Sequence, residues 1–107
     1  MFSADGRGSD AAAAHGIQLS VLPITRANYR TVLADEPSLG DFPLNLSVDV
    51  SSVALIGLCC DQDTLYLDTC IEPWASGYTD PSFSVSGRSN YALRESAPAL
   101  ALALALA

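Results

Sequence analysis

Residues 51–69 read SSVALIGLCCDQDTLYLDT and place a helix pattern directly before a strand pattern. Ser51 or Ser52 is suited to cap the helix, because a serine side chain accepts a hydrogen bond from a backbone N–H of the first turn. One helical face then carries Val53, Ile56 and Cys60. Residues 64–69 are rich in residue types that favour strands. The segment therefore predicts a helix that passes through a short polar turn into a strand.

The preceding residues repeat this alternation of helix and strand. A helix is expected at residues 11–15, with Gly16 as its stop, and residues 17–22 alternate apolar and polar side chains as a half-buried strand does. Further along, we expect a Thr25-capped helix with an apolar face of Tyr29, Val32 and Leu33, an apolar strand at 42–46, and Asp49 as a helix cap. The order helix, strand, helix, strand, helix, strand indicates an α/β fold with parallel strands and right-handed crossovers.

The charge balance narrows the classes of partner. The 107 residues include 12 acidic and 5 basic side chains, which gives a formal charge of −7. This argues against nucleic acid, because binding a phosphate backbone requires clustered Lys and Arg. The carboxylates suit a cationic ligand, although an acidic surface also serves solubility alone. The longest apolar stretch, residues 97–107, is shorter than the roughly 20 residues that span a bilayer, so no membrane partner is predicted.

The cysteines indicate buried thiols rather than a chemical site. Cys59 and Cys60 lie in an apolar run, where free cysteine behaves as a small hydrophobic residue, and Cys70 leaves the count odd. The sequence contains no CxxC pair and no Cys/His spacing of a metal site. We therefore predict no metal site and a reducing, cytoplasmic setting.

Polar residues follow two of the predicted strands, at the edge where open parallel sheets bind their ligands. Asn45 and Ser47 end the first of these runs, where such side chains either contact a nucleotide or cap the next helix. Glu72 and Trp74 follow the second, on either side of a proline. A carboxylate and an indole face would together hold an ammonium group, with a cation–π contact worth roughly 0.5–2 kcal/mol. The alternative is that Trp74 packs against a neighbouring helix while Glu72 faces water.

Four segments carry a resemblance to a known family. They read PITRANYR at residues 23–30, NLSVDVSS at 45–52, LYLDTCIEPW at 65–74 and RSNYALRE at 88–95. In this order and at about this spacing they resemble bacterial homospermidine synthases, over about residues 4–95. That family is related to the saccharopine dehydrogenases and has an N-terminal Rossmann domain with a separate substrate and dimerisation domain.

The resemblance implies NAD-dependent polyamine chemistry in a homodimeric parent enzyme. Hydride leaves putrescine, ammonia is lost, a second putrescine forms an imine, and return of the hydride gives sym-homospermidine. By the same resemblance, the dinucleotide crevice would be lined by Asn45, Leu46 and Ser47, with Thr69 near the nicotinamide. Glu72 and Trp74 would hold an ammonium or iminium group of putrescine or a related polyamine, which agrees with the chemistry of the two side chains.

The sequence departs from the family at both ends. It contains no glycine-rich first βα turn and begins about where the second strand is expected, with Asp5 near the position of a ribose-binding acidic residue. We therefore predict a partial Rossmann-like parallel sheet with flanking helices, without the first strand and its turn. The expected divisions are a partial NAD-binding domain at 1–75, a loop and helix at 76–95 leading toward the substrate domain, and an Ala/Leu tail at 96–107.

Three functions remain open at this point. The chain is part of a homospermidine synthase, part of a related saccharopine dehydrogenase-type oxidoreductase, or a small non-catalytic α/β protein that retained the strands. An amino-acid substrate would require a basic residue to meet its carboxylate, whereas Glu72 and Trp74 favour an amine. We expect the isolated chain to bind NAD weakly and to be inactive, because it buries too little surface to complete the sheet.

Overall fold

Strands and helices alternate along the chain in the computed structural model, which describes residues 1–36 and 40–105. The strands are β1 (Phe2–Ser3), β2 (Ser20–Val21), β3 (Leu44–Asn45) and β4 (Leu67–Asp68). The helices are α1 (Ser9–Ala14), α2 (Tyr29–Val32), α3 (Ser52–Asp61) and α4 (Asn90–Ala105), with a 3₁₀ turn at Gly77–Thr79 before α4. The predicted α/β class is confirmed.

The strands form two parallel pairs. Phe2 lies beside Ser20 in the β1–β2 pair, and Leu44 lies beside Leu67 in the β3–β4 pair. One helix joins the strands of each pair, α1 or α3, because parallel neighbours require a crossover connection. No strand of the described residues joins the two pairs. In a doubly wound sheet of strand order 3-2-1-4-5-6, the first strand lies between the pair 3-2 and the pair 4-5. The predicted partial sheet lacks that first strand, and two separate parallel pairs match it.

Helix α3 begins at the predicted pair of serines. The Oγ of Ser51 caps it and accepts a hydrogen bond from the N–H of Ala54 at 3.2 Å. The expectation that Asp49 caps a helix was wrong, because this residue occupies a left-handed turn with a φ of 63°. The expected apolar face was also wrong, because the buried side chains of α3 are Ser52, Leu55, Leu58 and Cys59. The helix is apolar around most of its surface, so sequence periodicity could not identify the buried side.

Two expectations for the N-terminal half were wrong. The residue pattern predicts a helix as the first element, whereas the chain starts with strand β1, near the second strand that the resemblance implies; the few residues before Asp5 are too short a segment to show a strand pattern. Thr25 does not cap α2, which begins at Tyr29. The N–H of Thr25 instead donates to Oδ1 of Asn28 at 2.7 Å, and the Asn28 amide donates to the Pro23 carbonyl at 3.0 Å. A polar turn therefore closes the segment before α2.

The apolar core is small. Among the side chains that the structure describes, its buried apolar members are Ala12, Val50, Leu55, Leu58 and Cys59. Helix α4 packs against α3 and continues through the expected boundary at residue 96. Residues 73–89 are irregular apart from the 3₁₀ turn, as their composition predicts. None of the described helices is both long enough and apolar enough to cross a membrane.

Candidate functional site

The carboxyl ends of β3 and β4 meet at one edge of their sheet. Asn45 lies beside Asp68 in the parallel register, so Leu46 and Ser47 leave β3 next to the point where Thr69 leaves β4. The four residues that the sequence assigns to the cofactor therefore lie at the same edge. This is the edge at which open parallel sheets bind ligands.

A network of hydrogen bonds fixes Asn45 at this edge. Its Nδ2 donates to the Tyr66 hydroxyl at 3.1 Å, and that hydroxyl donates to Oδ2 of Asp68 at 2.9 Å. Oδ1 of Asn45 accepts from the N–H of Ser47 at 3.1 Å and from the Ser47 hydroxyl at 2.5 Å. Burial raises the pKa of Tyr66 from its ordinary value of 10.0 to about 12, so its hydroxyl keeps its proton and remains a donor well above neutral pH. The network orients the buried carboxamide and thereby the chain that leaves β3.

The sequence interpretation missed Tyr66, although a signal for it was present. Tyr66 precedes Asp68 by two positions, so the two side chains lie on the same face of an extended chain. With Asn45 engaged by its neighbours, the groups left for a ligand are the Leu46 side chain, which is 67% exposed, the exposed Thr69 hydroxyl, and the Ser47 oxygen, whose hydrogen is donated to Asn45. The edge thus offers one apolar surface between two hydroxyls.

Ser52 joins the N-terminus of α3 to the segment that carries Glu72. Its N–H donates to the Glu72 carbonyl at 2.9 Å, and its Oγ accepts from the Glu72 N–H at 2.9 Å. Its hydroxyl also donates to the Cys70 carbonyl at 3.5 Å. Ser52 is fully buried, at 0% exposure. A second serine beside the cap was the signal for this role, since a helix N-terminus needs only one serine as its cap.

Glu72 and Trp74 have different neighbours. The Cys70 thiol donates to Oε1 of Glu72 at 3.6 Å, and burial, followed by the Glu72 contacts, raises the pKa of Cys70. The indole of Trp74 packs on the ring of Tyr29 with centroids 5.3 Å apart and planes tilted by 55°. Both Glu72 and Trp74 are partly exposed. Glu72 therefore contacts Cys70, whereas Trp74 contacts Tyr29. The packing of Trp74 on helix α2 agrees with the alternative that this indole packs against a neighbouring helix.

Helix α2 positions the Tyr29 ring that supports Trp74. The Nε of Arg30 donates to the Tyr29 hydroxyl at 3.0 Å, and its guanidinium carbon lies 5.5 Å from the centre of the Tyr29 ring. Nη1 of Arg30 forms an ion pair with Asp61 of α3 at 3.1 Å. Gln62 donates to the carbonyl of Ala34 at 2.8 Å, beyond the end of α2. The segment from 28 to 34 therefore links α3 to the indole.

An open cavity of about 430 Å³ lies beside the carboxyl end of β4. Asp68, Thr69 and Cys70 line it from β4 and the chain beyond, with Ile56 from α3 and Arg94 from α4. Of the six predicted site residues, Thr69 lines the cavity. The other five do not line it: Asn45, Leu46, Ser47, Glu72 and Trp74. Arg94 is exposed there and provides a basic group near the strand end.

Asp5 occupies the carboxyl end of β1. Its carboxylate accepts from the N–H of Arg7 at 3.1 Å and pairs with the Arg7 Nε at 2.8 Å. The backbone hydrogen bond from Arg7, with its positive charge, holds the pKa of Asp5 below the ordinary value. Gly6, with a φ of 80°, lets the chain turn away from β1. An ionised carboxylate at this position is suited to accept hydrogen bonds from ribose hydroxyls.

Comparison with known proteins identifies the family of the sequence. Residues 2–105 match the saccharopine dehydrogenase NADP-binding domain. The chain is 42% identical to a homospermidine synthase of Blastochloris viridis over 87 residues, which are 78% of this chain and 18% of that protein. It is 41% identical to a homospermidine synthase of Mesorhizobium japonicum over 83 residues, which are 75% of this chain and 17% of that protein.

A solved structure agrees with these matches. The crystal structure of the homospermidine synthase from Legionella pneumophila in complex with NAD superposes with a TM-score of 0.76 at 32% sequence identity. The match covers 92% of this chain and 19% of that protein, so the chain spans about a fifth of the length of its relatives. The chain belongs to the family of saccharopine dehydrogenase NADP-binding domains, and the three relatives reported above are homospermidine synthases.

Proposed function

We propose that this chain forms part of the NAD-binding domain of a homospermidine synthase, which transfers an aminobutyl group between two putrescines and releases ammonia. The observation that carries the proposal is the carboxyl edge of β3 and β4, where Ser47 and Thr69 follow neighbouring strands beside a fixed Asn45. The homospermidine synthase relatives, one of them solved with NAD, support it. We place the parent enzyme, a homodimer, in the cytoplasm, which agrees with the free cysteines of this chain.

The described residues offer the polar and apolar groups that a dinucleotide requires, at the carboxyl ends of strands in both parallel pairs. Asp5 presents an ionised carboxylate to ribose hydroxyls, and Ser47 and Thr69 present hydroxyls beside the apolar side chain of Leu46. NAD, when bound, would supply both the acceptor and the donor of hydride for a reaction without net redox change. The sequence contains no glycine-rich turn to hold the pyrophosphate, so we expect the isolated chain to bind NAD weakly.

Glu72 and Trp74 are the proposed amine-binding residues. The two hydrogen bonds between Ser52 and the Glu72 main chain fix the point from which this carboxylate extends. A carboxylate in a chain of charge −7 attracts a diamine, and the partly exposed indole adds a π-face for an ammonium or iminium group. Tyr29 and Arg30 maintain the position of the indole.

A second candidate is a fragment of a related oxidoreductase that acts on an amino acid. Arg94 favours it, because this exposed guanidinium lines the cavity at Thr69 and would meet a substrate carboxylate. The other basic residue near the site, Arg30, is already bound to Asp61 and Tyr29.

We retain the proposed division into a partial cofactor domain at 1–75, a connecting loop and helix at 76–95 and an Ala/Leu tail at 96–107.

A chimeric enzyme tests the proposed function. In the homospermidine synthase of Blastochloris viridis, the matched segment is replaced by the corresponding residues of this chain, and the purified chimera is supplied with NAD and putrescine. We expect it to form sym-homospermidine. The Glu72→Gln variant should raise the KM for putrescine at least about tenfold while the affinity for NAD is unchanged, since a charge-assisted contact is lost.

The matched control is Glu36→Gln, an exposed carboxylate four residues after α2 that has no role in the proposed site. It should leave both the KM and the affinity for NAD at the level of the chimera. A chimera that binds NAD and releases no polyamine product would contradict the proposed function. Equal putrescine KM values in the two variants would remove Glu72 from the amine site.

A further inference from the structure

The Tyr66 hydroxyl contacts three separate segments of the chain. It accepts a hydrogen bond from Nδ2 of Asn45 at 3.1 Å and donates to Oδ2 of Asp68 at 2.9 Å. The Ser52 hydroxyl, which donates to the Cys70 carbonyl at 3.5 Å, also forms a hydrogen bond with the Tyr66 oxygen. One phenol group therefore joins β3, β4 and the first residue of α3.

These contacts use the whole hydrogen-bonding capacity of the hydroxyl. A hydroxyl has one hydrogen to donate and two lone pairs that can accept. In Tyr66 the hydrogen goes to Asp68, and the lone pairs accept from Asn45 and Ser52. The side chain is partly buried, and no donor or acceptor of the hydroxyl remains for a ligand. Tyr66 can therefore act on a bound molecule only through its neighbours.

Two of these neighbours lead to different parts of the proposed site. Oδ1 of Asn45 accepts from the Ser47 N–H at 3.1 Å and so fixes the chain that leaves β3 at the cofactor edge. Oγ of Ser52 accepts from the Glu72 N–H at 2.9 Å and so fixes the segment that carries the proposed amine-binding carboxylate. A continuous series of hydrogen bonds thus runs from the Ser47 N–H to the Glu72 N–H, with Tyr66 in its middle.

We propose that Tyr66 is a positioning residue that holds the cofactor edge and the amine-binding segment at a fixed separation, an inference that rests on the proposed function. Hydride transfer requires that the reacting atoms are held about 3–3.5 Å apart, so the supports of the two reactants must keep their relative position. A hydrogen-bond network in which every member has its partners favours one arrangement of the segments that it joins. Tyr66 connects the two supports through a single side chain.

Tyr66→Phe in the chimera with the Blastochloris viridis enzyme tests the inference, because phenylalanine keeps the ring and removes only the hydroxyl. We expect the Kd for NAD and the KM for putrescine each to rise about three- to tenfold, which is the effect of one lost hydrogen bond on each side. Neither constant depends on the amount of folded enzyme, so a merely structural defect would leave both unchanged. Tyr91→Phe is the matched control, because Tyr91 is 77% exposed on α4, and it should change neither constant.

A double variant tests the path through Ser52. If Ser52 carries the effect of Tyr66 to Glu72, Tyr66→Phe should raise the KM for putrescine no further once Ser52→Ala is present. It should still weaken NAD binding in that background, because the contact with Asn45 is independent of Ser52. Multiplicative effects of the two substitutions on the KM for putrescine would overturn the inference.

Amide NMR of the 107-residue chain provides a measurement without turnover. Tyr66→Phe should shift the amide signals of both Ser47 and Glu72, whereas Tyr91→Phe should shift neither. A shift confined to one of the two amides would overturn the inference, since the hydroxyl would then support one part of the site alone.

The kinetic outcomes distinguish this inference from the proposed function. A chimera that forms no sym-homospermidine would refute the proposed function, and the positioning role would fail with it. A chimera that forms the product, but in which Tyr66→Phe behaves like Tyr91→Phe, would overturn the positioning role alone.

Discussion

Replacing Ser52 with alanine removes the one hydroxyl that connects helix α3 to the segment bearing Glu72. Ser52 is fully buried, and its Oγ accepts from the Glu72 N–H at 2.9 Å. The alanine variant leaves this N–H without its acceptor, while the bond from the Ser52 N–H to the Glu72 carbonyl is unaffected. The substitution therefore removes the hydrogen bond to the Glu72 N–H, together with the longer one to the Cys70 carbonyl at 3.5 Å, at the base of the proposed amine site.

The expected cost is set by the donor that loses its partner. A donor left unsatisfied away from water costs about 1–3 kcal/mol, so we expect Ser52→Ala to lower the free energy of unfolding by about 2 kcal/mol. For a domain of about 100 residues this corresponds to a fall in Tm of roughly 10 °C. Urea unfolding followed by circular dichroism measures the difference. Ser86→Ala, an exposed serine before α4, is the control and should change stability by less than about 0.5 kcal/mol.

A double variant tests whether Ser52 acts on the main chain. The hydrogen-bond partner of Ser52 is the Glu72 N–H rather than the Glu72 carboxylate. The losses of unfolding free energy caused by Ser52→Ala and by Glu72→Gln should therefore be additive in the double variant. A Ser52→Ala variant as stable as Ser86→Ala would refute the argument. Strong coupling between the Ser52 and Glu72 substitutions would show that the hydroxyl contacts the carboxylate instead.

Three further predictions follow from the contacts around the site. In the folded protein the pKa of Tyr66 is raised from the ordinary 10.0 to about 12, so the free energy of unfolding should fall as the pH rises from about 10 to about 12. Urea unfolding measured against pH should show a smaller fall for the Tyr66→Phe variant. An equal fall in the variant would contradict this prediction. A Cβ on Gly77 would clash with the Pro73 ring, including its Cγ at 2.9 Å, so Gly77→Ala should cost about 1–3 kcal/mol in urea unfolding, and an unchanged midpoint would show that the turn relaxes freely. Asp61→Asn breaks a pair whose side chains are 53% and 58% exposed, so it should lower the urea midpoint only slightly in low salt and still less in high salt. A large, salt-independent loss would be inconsistent with a solvent-screened pair.

The fold was predictable where local patterns were long enough to read. The helix and strand of residues 51–69 were predicted because a serine cap, an apolar segment and a strand-rich segment follow one another, and the Ser51 cap is confirmed. Strand β1 was not predictable from periodicity, since two residues before a turn show none, and only the resemblance placed a strand near the start. The buried side of α3 was also not predictable, because apolar residues surround most of that helix.

The site was predictable in outline and not in its connections. The general rule for ligands at the carboxyl ends of strands indicated Asn45, Ser47 and the residues after β4. Contacts between distant segments leave no local pattern, and the packing of Trp74 on Tyr29 joins residues that are far apart in the chain. The same holds for the bond from Asn45 to Tyr66, which depends on the register of two strands.

The central claim is that this chain supplies part of a homospermidine synthase rather than part of an oxidoreductase with net redox output. The most direct test gives the chimera NAD and putrescine deuterated at both amine-bearing carbons, and examines the product by mass spectrometry and the cofactor by absorbance. The claim predicts sym-homospermidine that retains every deuterium of its two putrescines, with no accumulation of NADH, because the transferred deuteride returns to the imine. Accumulating NADH without this product, or a requirement for an amino acid as co-substrate, would contradict it.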